Sequence, residues 1–117
     1  MSNSEKLSRM TCEACRADAP AATAEERETF SRQIPEWRIE TVDGVDRLTR
    51  EFSFDDFAGA LAFTNRVGAI AEEANHHPRI VTEWGRCTVS WWSHEMGGLH
   101  RNDFILAART DESATGG

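Results

Sequence analysis

Residues 51–75 read EFSFDDFAGALAFTNRVGAIAEEAN, and the spacing of apolar residues changes inside that stretch. Up to residue 54 they alternate, the period of a strand. From Asp55 to Asn75 they recur every three or four residues, the period of a helix. A strand that feeds directly into a long helix makes this a mixed α and β chain. The helical part carries two adjoining apolar stripes. Phe57, Leu61, Thr64, Gly68 and Ala71 form one, and Phe63, Val67, Ile70 and Ala74 form the other. That exceeds what one sheet face covers, so the helix is expected to pack on the sheet and also on a partner subunit, in preference to full burial in a monomer.

Upstream, Leu48, Phe52 and Phe54 share one strand face, with Thr49, Glu51 and Ser53 on the other. Arg50 interrupts the apolar face and marks an end that is partly exposed. Asp43-Gly44 is a hairpin signal, and before it Trp37, Ile39 and Thr41 alternate with charged residues as a first strand. Thr23-Ala-Glu-Glu26 spells a capping box, which predicts a helix over 24–33 that Pro35 ends. Residues 1–22 lack periodicity and read as an irregular lead-in.

Downstream, Pro78 stops the long helix, and strands are expected over 80–84 and 87–93 with a tight turn at Gly85-Arg86. Cys87, Val89 and Trp91 then share one face, while Thr88, Ser90, Trp92 and His94 share the other, so His94 is not a core histidine. After Gly97-Gly98 a last helix is expected over 101–108, and 111–117 reads as a disordered tail. The order α-β-β-α-β-β-α predicts an α+β fold: a four-stranded antiparallel sheet with helices on one face, in one domain spanning 23–110.

Composition sets outer limits. The chain has 117 residues, enough for one hydrophobic core but not two. A net charge of −7 argues against nucleic acid or an anionic membrane as a direct partner. No apolar run approaches the roughly 18 residues that span a bilayer. The start, MSNSEKLSRM, lacks the apolar centre of a signal peptide, so a cytoplasmic location is expected. Cys12, Cys15 and Cys87 make no disulfide framework. The Cys12–Cys15 pair lacks the second pair of a closed zinc site and reads as reduced thiols.

Only four histidines occur, and two are adjacent within EANHHP at 73–78. His76 and His77 fall where the helix stops, because Pro78 pushes His77 toward extended geometry. His94 falls at a strand end beside a glycine pair, and helix end and strand end can meet at one rim of a sheet. Asp103, in the first turn of the last helix, can reach the same rim. Imidazoles titrate near pH 6.5, so such a group can both give and take a proton at neutral pH. A nearby carboxylate can fix one ring's tautomer. Singly, each residue has an ordinary structural explanation; together they point to proton transfer. A metal site is the rival, but consecutive histidines at a helix-to-strand junction diverge and rarely hold one ion.

These residues match a known pattern. EANHHP, Trp84, SHEMGGL with His94, then Asp103 with Ala107-Ala108 resemble the pterin-4a-carbinolamine dehydratases. IPEW around Trp37, REFSFDDFAGALAFTNRVGAIAE and TEWGRCTVSWWSHE extend the resemblance over residues 24–110. The resemblance implies dehydration of 4a-hydroxytetrahydrobiopterin to quinonoid dihydropterin and water, without metal or organic cofactor. That reaction recycles the pterin of aromatic amino acid hydroxylases, phenylalanine hydroxylase above all. It implies homodimers or homotetramers. It makes His76, His77 and His94 catalytic, lines the pterin site with His76, His77, Pro78, Ser93, His94, Glu95 and Met96, and gives Asp103 a supporting place. Which histidine is acid and which base stays open. Members of the family also serve as dimerisation partners of a transcription factor in animals, so a non-catalytic binding module is the alternative.

One position departs from the family. His100 stands where the family usually has threonine, whose hydroxyl would cap the last helix opposite Asp103. Histidine is a poor cap, which predicts a loss of roughly 1 kcal/mol or a substitute acceptor. A place near the pterin pocket is the other expectation for His100.

Overall fold

The protein is described here from a computed structural model, which covers residues 6–12 and 20–115. Its core elements are α1 (Ala24–Ser31), β1 (Arg38–Val42), β2 (Val45–Ser53), α2 (Phe57–Ala74), β3 (Arg79–Glu83), β4 (Arg86–Trp91) and α3 (Arg101–Thr115). The strands form one antiparallel sheet in the order β1-β2-β4-β3, with α2 and α3 packed on a single face. This is the α+β arrangement that the periodicity predicts.

Local signals explain most boundaries. Thr23 and Glu26 form the full capping box of α1: the Glu26 N–H donates to the Thr23 hydroxyl, and the Thr23 N–H to the Glu26 carboxylate. Asp43 and Gly44 both take positive φ, 52° and 79°, the type I′ geometry that joins β1 to β2 without splaying them. Asp56 caps α2 by accepting from the Gly59 N–H at 2.8 Å. Asn75 ends α2 in the left-handed conformation, φ 51° and ψ 44°. The β3–β4 turn lies at Trp84-Gly85, one residue before the expected position.

The core lies between the sheet and the helices. Leu48, Phe52, Cys87, Val89 and Trp91 from the strands meet Phe63, Val67, Phe104 and Leu106 from the helices, all buried. On α2 the apolar surface divides. Ala60, Phe63, Val67 and Ala71 face the core, while Phe57 and Leu61 of the first stripe stay 44% exposed.

Two expectations need correction. The last helix does not stop near 108, and residues 111–115 are not a loose tail; α3 continues to Thr115. Asp111 holds it there by accepting 2.8 Å bonds from the Trp37 indole and the Arg50 guanidinium. The lead-in is also partly structured. Leu7 is fully buried in a 3₁₀ turn over Leu7–Arg9, and Arg109 of α3 donates to the carbonyls of Ser8 and Met10. Arg50 is partly exposed, as expected, with its guanidinium 4.3 Å from the Phe52 ring. Cys12 is half-buried, while Cys15 lies outside the described residues.

Burial pushes the Asp111 carboxyl above its usual range, although the Trp37 and Arg50 contacts pull the other way. A raised acid holds its proton more tightly folded than unfolded, so this group supports the fold most at low pH and less as pH rises past about 4. Asp111→Asn removes that dependence. The stability gap between wild type and variant should therefore shrink between about pH 3 and about pH 6, as read by urea unfolding at each pH.

Candidate active site

Asn75 is the residue that aims the histidines. Its left-handed conformation turns the chain at the end of α2, and the His76 N–H bonds back to the Ala71 carbonyl at 3.1 Å, as in a Schellman stop. Neighbouring residues on an extended chain point to opposite sides, so His76 turns inward and His77 outward. His76 is 4% exposed, and His77 is exposed.

Beneath His76 lies Asp103, fully buried in the first turn of α3. Its Oδ1 accepts from His76 Nε2 at 2.7 Å. Its Oδ2 accepts from the Ser93 hydroxyl at 2.8 Å and from the His100 N–H at 2.9 Å. Three donors satisfy a charge that would otherwise be very costly to bury. A carboxylate can only accept, so the His76 Nε2 carries a proton toward it. Trp91 stacks on the same imidazole, 5.9 Å between centroids and 9° from parallel, which sets its plane.

His94 comes from the strand side. The Ser93–Gly98 bridge closes a tight loop after β4 and presents His94 at the rim, where Nε2 donates to the His77 carbonyl at 3.0 Å. His77 Nε2 in turn meets the Glu72 carboxylate at 2.6 Å. Both partners of that pair are exposed, so it orients the ring more than it stabilises the fold. Asn75, His76, His77, His94 and Glu95 line a cleft of about 440 Å³.

The expected convergence of His76, His77 and His94 at one rim is what the structure shows. Ser93 and Asp103 lie behind His76 as its support and not in the cleft wall. Pro78 and Met96 are not part of that lining. Asn75, Glu72 and the stacking face of Trp91 escaped the sequence reading. An asparagine directly after an apolar helix is the signal that could have found the first. Among the described residues, no three histidine, cysteine, aspartate or glutamate side chains gather as a metal site requires.

His100 acts as the cap it was expected to make poorly. Its Nδ1 accepts the Asn102 N–H at 3.0 Å while Asp103 accepts the His100 N–H. Asp103 supplies its half of a capping box, and the imidazole accepts from the second helical N–H in place of the third. His100 is 2% exposed and does not line the histidine cleft; the Asp103 carboxylate bonds its backbone N–H on one oxygen and the His76 ring on the other.

The family model for pterin 4 alpha carbinolamine dehydratase matches residues 20–113. The chain belongs to that family. It is 62% identical over 107 residues, 92% of this chain and 96% of the other, to a Syntrophotalea carbinolica protein named "Putative pterin-4-alpha-carbinolamine dehydratase". Among solved structures it resembles a transcriptional coactivator/pterin dehydratase from Brucella melitensis, with TM-score 0.72 and 28% identity over 81% of this chain and 99% of that one. A pterin dehydratase-like protein identified as a RuBisCO assembly factor in the alpha-carboxysome shares the fold. There the TM-score is 0.57 and the identity 24%, over 68% of this chain and 89% of that one. The histidine cleft and its Asp103 support lie within the residues the dehydratase family model matches.

The support can be tested on the fold alone. His100→Ala loses one cap and should cost about 1 kcal/mol, most of which His100→Thr restores. Asp103→Ala strands three buried donors at about 1–3 kcal/mol each, so it should cost clearly more than His100→Ala in denaturant unfolding.

Proposed function

We propose that the protein is a hydro-lyase that dehydrates 4a-hydroxytetrahydrobiopterin to quinonoid dihydropterin. The observation that carries this reading is the cleft lined by His76, His77 and His94, with His76 locked by a buried carboxylate. In the reaction the C4a–O bond breaks and the hydroxyl leaves as water after taking a proton. The N5–H proton departs, and its electron pair forms the C4a=N5 bond. One proton is given and one is taken, so the chain must present an acid and a base to adjacent atoms.

His77 and His94 are exposed in the cleft and joined through the His77 carbonyl, which suits them to exchange protons with substrate and solvent. His76, with its ring plane and tautomer fixed, forms the floor against which the flat pterin ring lies. Glu95 belongs to the same lining and Asp103 holds the floor rigid. Rigid placement of this kind contributes because a reacting group misplaced by about 1 Å can cost about 10²-fold in rate.

The same reading makes the protein a cytoplasmic homodimer or homotetramer that returns oxidised pterin to an aromatic amino acid hydroxylase. No helix among the described residues is long and apolar enough to cross a membrane. The exposed Phe57 and Leu61 on α2 supply an apolar surface for a second copy. Light scattering should give a multiple of the single-chain mass, and replacing both residues by serine should return it to one chain.

The direct test is an assay on freshly generated 4a-hydroxytetrahydropterin. Purified protein should accelerate its dehydration, and His77→Ala or His94→Ala should each remove about 10²–10⁴-fold of that rate. A wild-type protein without effect on the dehydration would leave the non-catalytic binding module as the reading.

A further inference from the structure

The sheet face opposite the helices carries a contact that reaches into the cleft. Arg47 on β2 stands across from Glu40 on β1, the carboxylate that would ordinarily take its charge. Glu40 instead pairs with Arg38 at 3.3 Å. The Arg47 guanidinium carbon sits over the Trp92 ring, 3.9 Å from its centroid. Its Nε is enclosed and hydrogen-bonded to nothing among the described residues. Cation–π attraction is what compensates that nitrogen, and it favours a partly desolvated arginine of this kind. Trp92 in turn packs on the His94 imidazole, with centroids 4.3 Å apart and planes tilted by 32°.

Arg47, Trp92 and His94 thus form one continuous stack from the open sheet face to the rim. His94 needs such a brace. It is exposed, sits in a loop after β4, and among the described residues its ring makes one hydrogen bond, to the His77 carbonyl. A single bond at Nε2 fixes a point on the ring but leaves rotation about that contact; a flat neighbour fixes the plane. His76 receives the same two constraints from Asp103 and Trp91.

We propose that Arg47 and Trp92 are positioning residues that hold the His94 ring in its reactive plane, the guanidinium clamping the indole and the indole clamping the imidazole. The inference rests on the dehydratase reading for its kinetic consequence, but the stack itself can be read without activity.

The experiment pairs kinetics with proton NMR of the histidine rings in the full chain. Trp92→Ala should lower kcat between about 10- and 100-fold, with KM changed less than about two-fold, because the reacting group is displaced while the cleft stays open. Trp92→Phe, which keeps a flat face, should recover most of the loss. Arg47→Ala should lower kcat about three- to ten-fold, with Arg47→Lys intermediate, since lysine keeps the charge but not the stacking plane. In both alanine variants the His94 ring-proton shifts should move as the indole ring current is lost or displaced, while those of His76 hold. Unchanged kcat in both alanine variants would overturn the proposal. So would equal losses in Trp92→Ala and Trp92→Phe that follow melting temperature, or His94 shifts that do not move. An inactive wild type would sink the dehydratase reading instead, and the ring shifts would still decide whether the stack orders His94.

Discussion

One buried carboxylate joins the parts of this fold that make the cleft. Asp103 lies at the start of α3, His76 just past the end of α2, and Ser93 just past β4, and the carboxylate bonds to both side chains and to the backbone at His100. A charge in that position survives only when hydrogen-bond donors surround it. The three segments must therefore meet there in one register, or the aspartate is stranded. The cleft is a by-product of satisfying that charge. Where the end of α2 and the loop after β4 are pulled onto the same point, their next residues, His77 and His94, are left facing each other at the surface.

That arrangement divides the labour between adjacent residues of identical type. His76 is enclosed, stacked on Trp91 and confined to one tautomer. His77, one residue on, is exposed, with its ring paired to the exposed Glu72. The difference comes from Asn75, whose left-handed backbone closes α2 and sends successive side chains to opposite sides. A fixed ring beside exposed imidazoles is an arrangement that suits acid–base chemistry on a flat ring.

Much of the fold was legible because its signals are local. The change of period at residue 55, the Asp43-Gly44 turn and the Thr23–Glu26 capping box each specify their own geometry, and each is seen. Residues 111–115 were not legible, because nothing in their polar sequence announces a helix. They are helical because Asp111 is held by Trp37 and Arg50, which lie far away in the chain; tertiary contact overrides weak propensity. Leu7 is the same case at the other end. At the site, the meeting of three histidines could be read from helix end and strand end. Their unequal environments could not, since these depend on one backbone conformation at Asn75 and on burial of Asp103. His100 misled in a different way: an imidazole nitrogen with its lone pair aimed at an N–H caps as a hydroxyl does, which residue statistics do not reveal.

The central claim is that this cleft, and no other part of the surface, takes a pterin against its imidazoles. Titrating a stable dihydropterin into protein labelled with ¹⁵N at its histidine rings tests it most directly. The account predicts that the ring nitrogens of His76, His77 and His94 shift together along one binding curve, while those of His100, buried and outside the cleft lining, stay in place. Rings at 76, 77 and 94 that remain unmoved while the ligand perturbs another region would contradict it.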